Sequence, residues 1–233
     1  MPRIPSRRGL AAGAAAKLAP QVVHLAPDIT ATFVREALNR AIRGAGPLAP
    51  AAQAARKQLE DHHGDHAKAV HDIIENHVRF AGAQGFLTNL GGLVSAVATV
   101  PANLAGVALV QSRMVAAIAH LKGYDLDDPR VRNAILAILM GEDSVERLVK
   151  NRTLPATPHG LANAEVHDPA LDRVITSEVA TDLVGRVAGK RMATTVGRRV
   201  PVVGGVVGMG ADGYATWKLG RYADRELRPR TAR

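Results

Sequence analysis

From Phe80 to Ser112 the chain carries no charged residue. Such a run is longer than the ~20 apolar residues a helix needs to cross a bilayer, so it has to pack against other helices or against lipid. Its own composition narrows the choice. Gln84, Asn89, Gly91, Gly92, Pro101, Asn103 and Gln111 break its apolarity. Two shorter helices meeting around Thr99–Pro101 fit better than one unbroken span, because the residue before a proline resists helical angles.

The flanking sequence extends this helical reading. Residues 1–27 read as a basic leader, and residues 28–228 as a single helical domain. Asp28 precedes a helix to about Arg43, with Gly44 as its C-terminal cap. Pro50 suits a first helical turn. From Asp65, the residues Ala69, Val70, Ile73, Ile74, His77, Val78 and Ala81 recur at helical spacing and lead into the uncharged run. Its second helix continues to about Leu121 and ends at Gly123. Asp128-Pro129 pairs a cap with a first-turn proline. The helix it starts carries Val131, Ile135, Ile138 and Leu139 and stops at Gly141. Asp143 and Glu146 resemble a capping pair for a short helix to Lys150. Residues 151–167, with Pro155, Pro158 and Gly160, read as an exposed connector. Asp168-Pro169 opens a long helix to about Val196, and Pro201 opens another to about Leu227. Val202, Val203, Val206 and Val207 would also suit a strand. The pattern, however, runs on through Tyr214, Trp217, Leu219 and Tyr222 without a turn signal. Residues 229–233 remain as a basic tail. The predicted fold is an all-α multi-helix bundle with Gly/Ala/Val-rich apolar helical hairpins.

Hydrophobic residues make up 47% of the chain and aromatics only 3%, so small aliphatic residues must fill the core. No cysteine is present, which excludes disulfides and thiolate metal sites. The net charge of +9 would attract nucleic acid or the anionic face of a membrane. Arginines cluster at both ends, at Arg3, Arg7 and Arg8 and at Arg221, Arg225, Arg228, Arg230 and Arg233. They serve either surface binding or solubility alone. Nucleic acid is the weaker partner, because the aromatic-studded basic strand of single-strand binders and zinc-finger spacing are both missing. Arg7-Arg8 before an alanine-rich stretch looks faintly like a twin-arginine export signal. Lys17 and Pro20 interrupt it, and a basic tail is the simpler reading.

Several motifs compete with blander explanations. Gly208-Met-Gly210-Ala-Asp-Gly213 matches a dinucleotide fingerprint, but too little chain follows to complete a βαβ unit. A close-packing glycine helix explains it, with Gly204 and Gly208 one turn apart as at Gly92/Ala96 and Ala102/Gly106. Gly185 to Lys190-Arg191 falls one residue short of a phosphate loop. His62, His63, Asp65, His66, His71 and His77 form the best metal candidate, yet Gly64 interrupts them. His66 and His77 would also lie about 16 Å apart along a helix. A polar, partly titrating surface is the alternative. The polar residues inside apolar stretches are the candidate buried or interaction residues: Asn89, Asn103, Gln111, Arg113 and Asp212. Buried charges are paired or wet. Asp212 and Arg113 are therefore expected either to meet and lock the hairpins together or to reach solvent separately.

Certain motifs also identify a family. They are Gly85-Phe86-Leu87-Thr88-Asn89-Leu90-Gly91-Gly92-Leu93, Val100-Pro101-Ala102-Asn103-Leu104, Gln111-Ser112-Arg113-Met114, Ala116-Ala117-Ile118-Ala119-His120, Gly123-Tyr124-Asp125-Leu126 and Val200-Pro201-Val202-Val203-Gly204-Gly205-Val206-Val207-Gly208. Together they closely resemble the EcsC protein family over roughly residues 70–226. The arginine- and alanine-rich style looks like an actinobacterial member. The resemblance implies a bacterial, membrane-linked accessory protein, from a family named for a product encoded beside an ABC transporter. It supplies no catalytic residues and no cofactor.

Three functions follow as expectations. The first is a non-enzymatic helical protein on the cytoplasmic side of the inner membrane, binding an anionic membrane surface or a membrane protein complex. The second is a cytoplasmic helical bundle that acts by protein contact or holds an apolar or lipid ligand. The third is a metal-dependent hydrolase using the cluster from His62 to His77.

Overall fold

The computed structural model describes residues 31–46, 48–90, 99–197 and 201–230, and side chains over 31–46, 48–82, 108–183, 185–186 and 213–230. Within them the fold is an all-α multi-helix bundle, as the periodicity predicts. Helix α1 covers residues 31–43. It is followed by α2 (Ala51–Asp61), α3 (His66–Leu90), α4 (Thr99–Leu121), α5 (Pro129–Leu139), α6 (Glu142–Lys150), α7 (Pro158–Ala162), α8 (Pro169–Gly197) and α9 (Pro201–Glu226). The valine-rich segment after Pro201 is therefore helical, and the 208–213 glycine motif lies within that helix.

Local chemistry sets the boundaries. Gly44, Gly123 and Gly141 each adopt a φ of +82°. A residue with a Cβ resists that conformation, so glycine ends the helix there. At the end of α4 the Tyr124 amide donates to Ala119 O and the Gly123 amide to His120 O, both at 3.0 Å. This is the paired closure of a Schellman end. Asp65 Oδ1 accepts from the Lys68 amide at 3.0 Å. Asp128 Oδ1 accepts from the Arg130 amide at 2.8 Å. Each contact satisfies an orphan donor at a helix start. Pro101 sits in the first turn of α4, where its missing N–H is harmless.

Two expectations need correction. Asp143 and Glu146 do not cap α6. The corner turns on Gly141 so sharply that the helix begins at Glu142 with no side-chain cap. That leaves Asp143 in the first turn, which favours acidic groups, and it meets Lys218 Nζ at 2.9 Å. Residues 151–167 are not a purely exposed connector, because they contain α7 and bury Leu154, Leu161 and Ala162. Of the basic C-terminal residues, Arg230 packs on the base of the bundle. Its amide donates to Lys122 O at 2.8 Å, and its guanidinium lies 4.5 Å from the centre of the Tyr124 ring.

The core sits where these elements converge. Helix α5 is its axis, with Val131 and the stretch Asn133–Leu139 buried. Met114 and Ile118 of α4, Ile175 of α8 and Leu227 after α9 surround it. The side-chain amide of buried Asn133 donates to Asp172 Oδ1 at 2.7 Å. Its polarity is thereby satisfied, as burial demands. Helices α3 and α4 form an antiparallel hairpin, because His66 Nδ1 at the start of one lies 3.0 Å from Leu121 O at the end of the other. The most extensive packing joins α3 to α9.

That packing depends on Gly220. A Cβ there would come within 2.8 Å of Ile74 Cγ1 and 3.2 Å of Met114 Sδ. Gly220→Val should therefore lower stability by about 1–3 kcal/mol through overpacking, read as a reduced urea midpoint with the helical circular dichroism retained. Gly185→Ala, with nothing within 4 Å of the added carbon, should leave the midpoint unchanged or raise it.

Candidate functional site

The molecule divides along its length, and the α3–α9 pair supplies the ruler. A Cβ built on Gly213 would lie 3.6 Å from Val78 Cγ1, while Gly220 meets Ile74. The two helices are therefore antiparallel, with Val78 level with Gly213. On one side of this level lies the charged, densely packed base. On the other, α3 runs from Ala81 to Leu90, α4 from Thr99 to Ser112 and α9 from Pro201 to Ala211 with no charged residue. We call these three stretches the arms.

Exposed aromatics gather where base becomes arm. Phe80 is 59% exposed, Tyr214 65% and Trp217 47%. Tyr214 and Trp217 stack with centroids 5.9 Å apart. Phe80 follows Val78 by two residues, about 200° round the helix, so it faces away from α9. Phe80 lies two residues beyond the Val78–Gly213 contact and Trp217 four residues short of it, so the rings are spread over about 9 Å along the helices. Phe33 on α1 is the other exposed aromatic among the described residues.

The fourth long helix is placed by the α5–α6 corner. Arg186 of α8 donates to Met140 O, and Ser144 Oγ lies 3.3 Å from Asp182 Oδ1. From α9, Lys218 reaches Asp143, and Arg225 Nη2 reaches Glu142 Oε2 at 2.6 Å. Arg186, Lys218 and Arg225 thus converge on one corner. No acidic residue occurs between Asp182 and Asp212, whereas Arg186, Lys190, Arg191, Arg198 and Arg199 do. Much of the C-terminal basic cluster, by contrast, is consumed internally. Arg225 pairs with Glu142, Arg221 lies 3.7 Å from Asp224, and Arg230 donates to Ala162 O at 2.7 Å.

The residues singled out from sequence fare differently. Arg113 lies half-buried on α4 and donates to Ala49 O ahead of α2. Gln111 is buried nearby on the same helix, with no partner for Oε1 among the described residues. Asn89, Asn103 and Asp212 lie on α3, α4 and α9, and Gly106, Gly204 and Gly208 on α4 and α9, but their side-chain surroundings fall outside the described residues. Gly92 lies wholly outside them, and so does the expected meeting of Asp212 with Arg113.

The histidines do not converge. His62 Nε2 meets Asp72 Oδ2 at 2.8 Å, His66 contacts Leu121 O, His71 Nε2 lies 3.2 Å from Glu75 Oε1, and His77 Nδ1 lies 2.7 Å from Ile73 O. Among the described residues no group of three potential ligands could hold a metal. The metal-dependent reading through His62 to His77 therefore has no geometry, because α2, a turn and α3 aim these rings at separate partners.

The other unusual carboxylate is Asp182. Burial raises its pKa, opposed by Arg186 and the Ser144 hydroxyl. Its Oδ2 lies 2.7 Å from Arg186 Nε but makes no directed hydrogen bond. The contact is therefore an ion pair with poor alignment. Together with the Ser144 contact it ties α8 to the α5–α6 corner.

Two histidines carry a pH dependence. Burial depresses the pKa of His77, and the nearby Arg113 adds to it; burial and then Arg56 depress that of His120. Above the ordinary value of 6.5 both folded and unfolded chains hold these rings neutral. As pH falls below it, the unfolded chain takes up protons that the folded chain refuses, so stability drops until the depressed folded values are reached. Urea midpoints should fall between pH ~7 and ~5, and the fall should be shallower in the variant combining His77→Gln and His120→Gln.

Comparison with known proteins bears on ancestry more than chemistry. No curated protein and no solved structure matches the chain significantly. Among the described residues, no helix is long and apolar enough to cross a membrane. A family model described as the EcsC protein family matches residues 14–231, nearly the whole length, and the chain belongs to that family.

Proposed function

We propose that this EcsC family member is a non-enzymatic helical protein that binds an anionic membrane surface, on the cytoplasmic side of the inner membrane. The observation that carries this reading is that the exposed aromatics Phe80, Tyr214 and Trp217 lie near where the charged base gives way to uncharged arms. Aromatic rings with an apolar body and a polar edge favour the headgroup level of a bilayer. The acid-free stretch from Leu183 to Ala211 supplies the charge complement. Each Lys or Arg close to an anionic surface contributes ~1 kcal/mol. The few cations there are enough to hold a protein whose apolar surface alone binds weakly.

Enzymatic chemistry has less support. His62, His66, His71 and His77 each meet a separate partner rather than converging. A cytoplasmic bundle acting through protein contacts is the competing reading, in which the arms only pack on one another.

Flotation with lipid vesicles separates the two. The protein should float with vesicles containing phosphatidylglycerol and stay behind with pure phosphatidylcholine, and high salt should release it. Lys190→Glu combined with Arg191→Glu should weaken flotation roughly ten-fold or more. A protein that ignores both vesicle types at low salt contradicts the membrane reading.

A further inference from the structure

From Gly213 onward, α9 is buried along one side and exposed along the other. Thr216, Leu219, Gly220 and Ala223 are buried, while Tyr214, Trp217, Lys218, Arg221 and Arg225 are exposed. At about 100° per residue, Tyr214 and Arg221 lie within about 20° of each other, with Trp217 and Lys218 about 50° to either side. Both flanks of this stripe are engaged. Lys218 Nζ meets Asp143 Oδ2 at 2.9 Å and Arg225 Nη2 meets Glu142 Oε2 at 2.6 Å, which ties one flank to α6. On the other flank, Asp224 Oδ1 meets Lys122 Nζ at 2.7 Å. Arg221 lies between them. Its one ion-pair partner among the described residues is the second oxygen of that occupied carboxylate, 3.7 Å away. Arg228, just past the helix, is exposed and makes no ion pair among the described residues. The outward line of α9 therefore carries a stacked aromatic pair and then cations with little internal demand. The same helix begins with the uncharged sequence from Pro201 to Ala211. Apolar, aromatic and basic groups in that order along one helix match the graded polarity of a membrane interface. An acidic protein would be complemented by cations throughout.

We propose that this stripe of α9 is a membrane-contacting face, with the Tyr214–Trp217 pair among the headgroups of an anionic phospholipid surface and Arg221 and Arg228 meeting lipid phosphates. This rests on the membrane reading above and adds to it the face that makes contact. Tyr214 and Trp217 each present an apolar ring with a polar edge, and both are exposed. Phe80 projects from α3 away from α9 and lies off this face.

Trp217 is the single tryptophan of the chain, so its fluorescence reports this face alone. The experiment mixes the full chain with phosphatidylcholine–phosphatidylglycerol vesicles that carry a nitroxide on the headgroup, and binding is measured separately by flotation. The expected result is flotation together with a blue shift of the emission and quenching by the nitroxide. Flotation with unshifted, unquenched emission would overturn the α9 contact while leaving the membrane reading standing. Absence of flotation would sink both. A change in emission with a polyglutamate peptide, and none with vesicles, would assign the face to an acidic protein instead. Arg221→Glu combined with Arg228→Glu should weaken flotation about ten-fold or more, and Tyr214→Ser about five-fold, each with the urea midpoint unchanged. Phe80→Ser should stay within about two-fold of the unaltered chain. Equal losses in Phe80→Ser and Tyr214→Ser would refute the choice of face.

Discussion

The close approach of α3 and α9 governs the rest of the structure. These helices start far apart in the chain, at His66 and Pro201, and they meet because Gly220 leaves no side chain between Ile74 and Met114. Three helices touch at that point, so the contact fixes both the spacing of the pair and their register. The register then decides what lies level with what. Phe80 and Tyr214 fall within about one turn of each other because Val78 faces Gly213. A shift of one turn would move every residue of α9 about 5 Å along α3.

Much of this architecture was legible in the residues, and the legible parts are local. Gly44, Gly123 and Gly141 marked helix ends, and each takes a φ of +82°, a conformation that is cheap only for glycine. Asp128-Pro129 marked a start because a carboxylate can hold the second amide while proline removes one that lacks a partner. The uncharged run was placed as two helices because Pro101 tolerates only a first turn. The failures are all long-range. Residues 151–167 looked like a loop because α7 spans only five residues, too few for a period to show, and its burial depends on α5 reaching it. Asp143 read as half of a capping pair, but its partner Lys218 lies 75 positions away. The histidines looked clustered in sequence, while the turn at Gly64 directs them to different elements.

The exposed aromatics were the least legible feature. Tyr214 and Trp217 were visible as members of a helical pattern, but their exposure follows from which face of α9 turns toward α3. Phe80 read only as the first residue of an uncharged run. The one available signal was scarcity: a chain with 3% aromatics places two of them at i and i+3 beside an acid-free, cation-bearing stretch. Net charge misled in a related way. The +9 excess drew attention to the terminal arginines, yet Arg225 and Arg230 are spent on Glu142, Tyr124 and Ala162. Charge left over after internal pairing is what matters for binding, and the acid-free run of cations in the sequence falls along the distal part of α8 and just beyond it.

Base and arms also differ in how they can be stable. The base buries Met114, Ile118, Ile135, Ile138, Leu139 and Ile175 around a short central helix. Each such side chain contributes about 1.5–3 kcal/mol when fully withdrawn from water. The arms are built largely of glycine, alanine and valine, which remove little area apiece and gain mainly from close contact. Glycine also costs about 1 kcal/mol per helical position relative to alanine. A helix pair of that composition is marginal by itself, so its order depends on being clamped at Gly220 and at the α5–α6 corner. A lipid surface covers small apolar residues without requiring larger ones, which is why the same composition that makes a poor free-standing bundle suits one seated on a membrane.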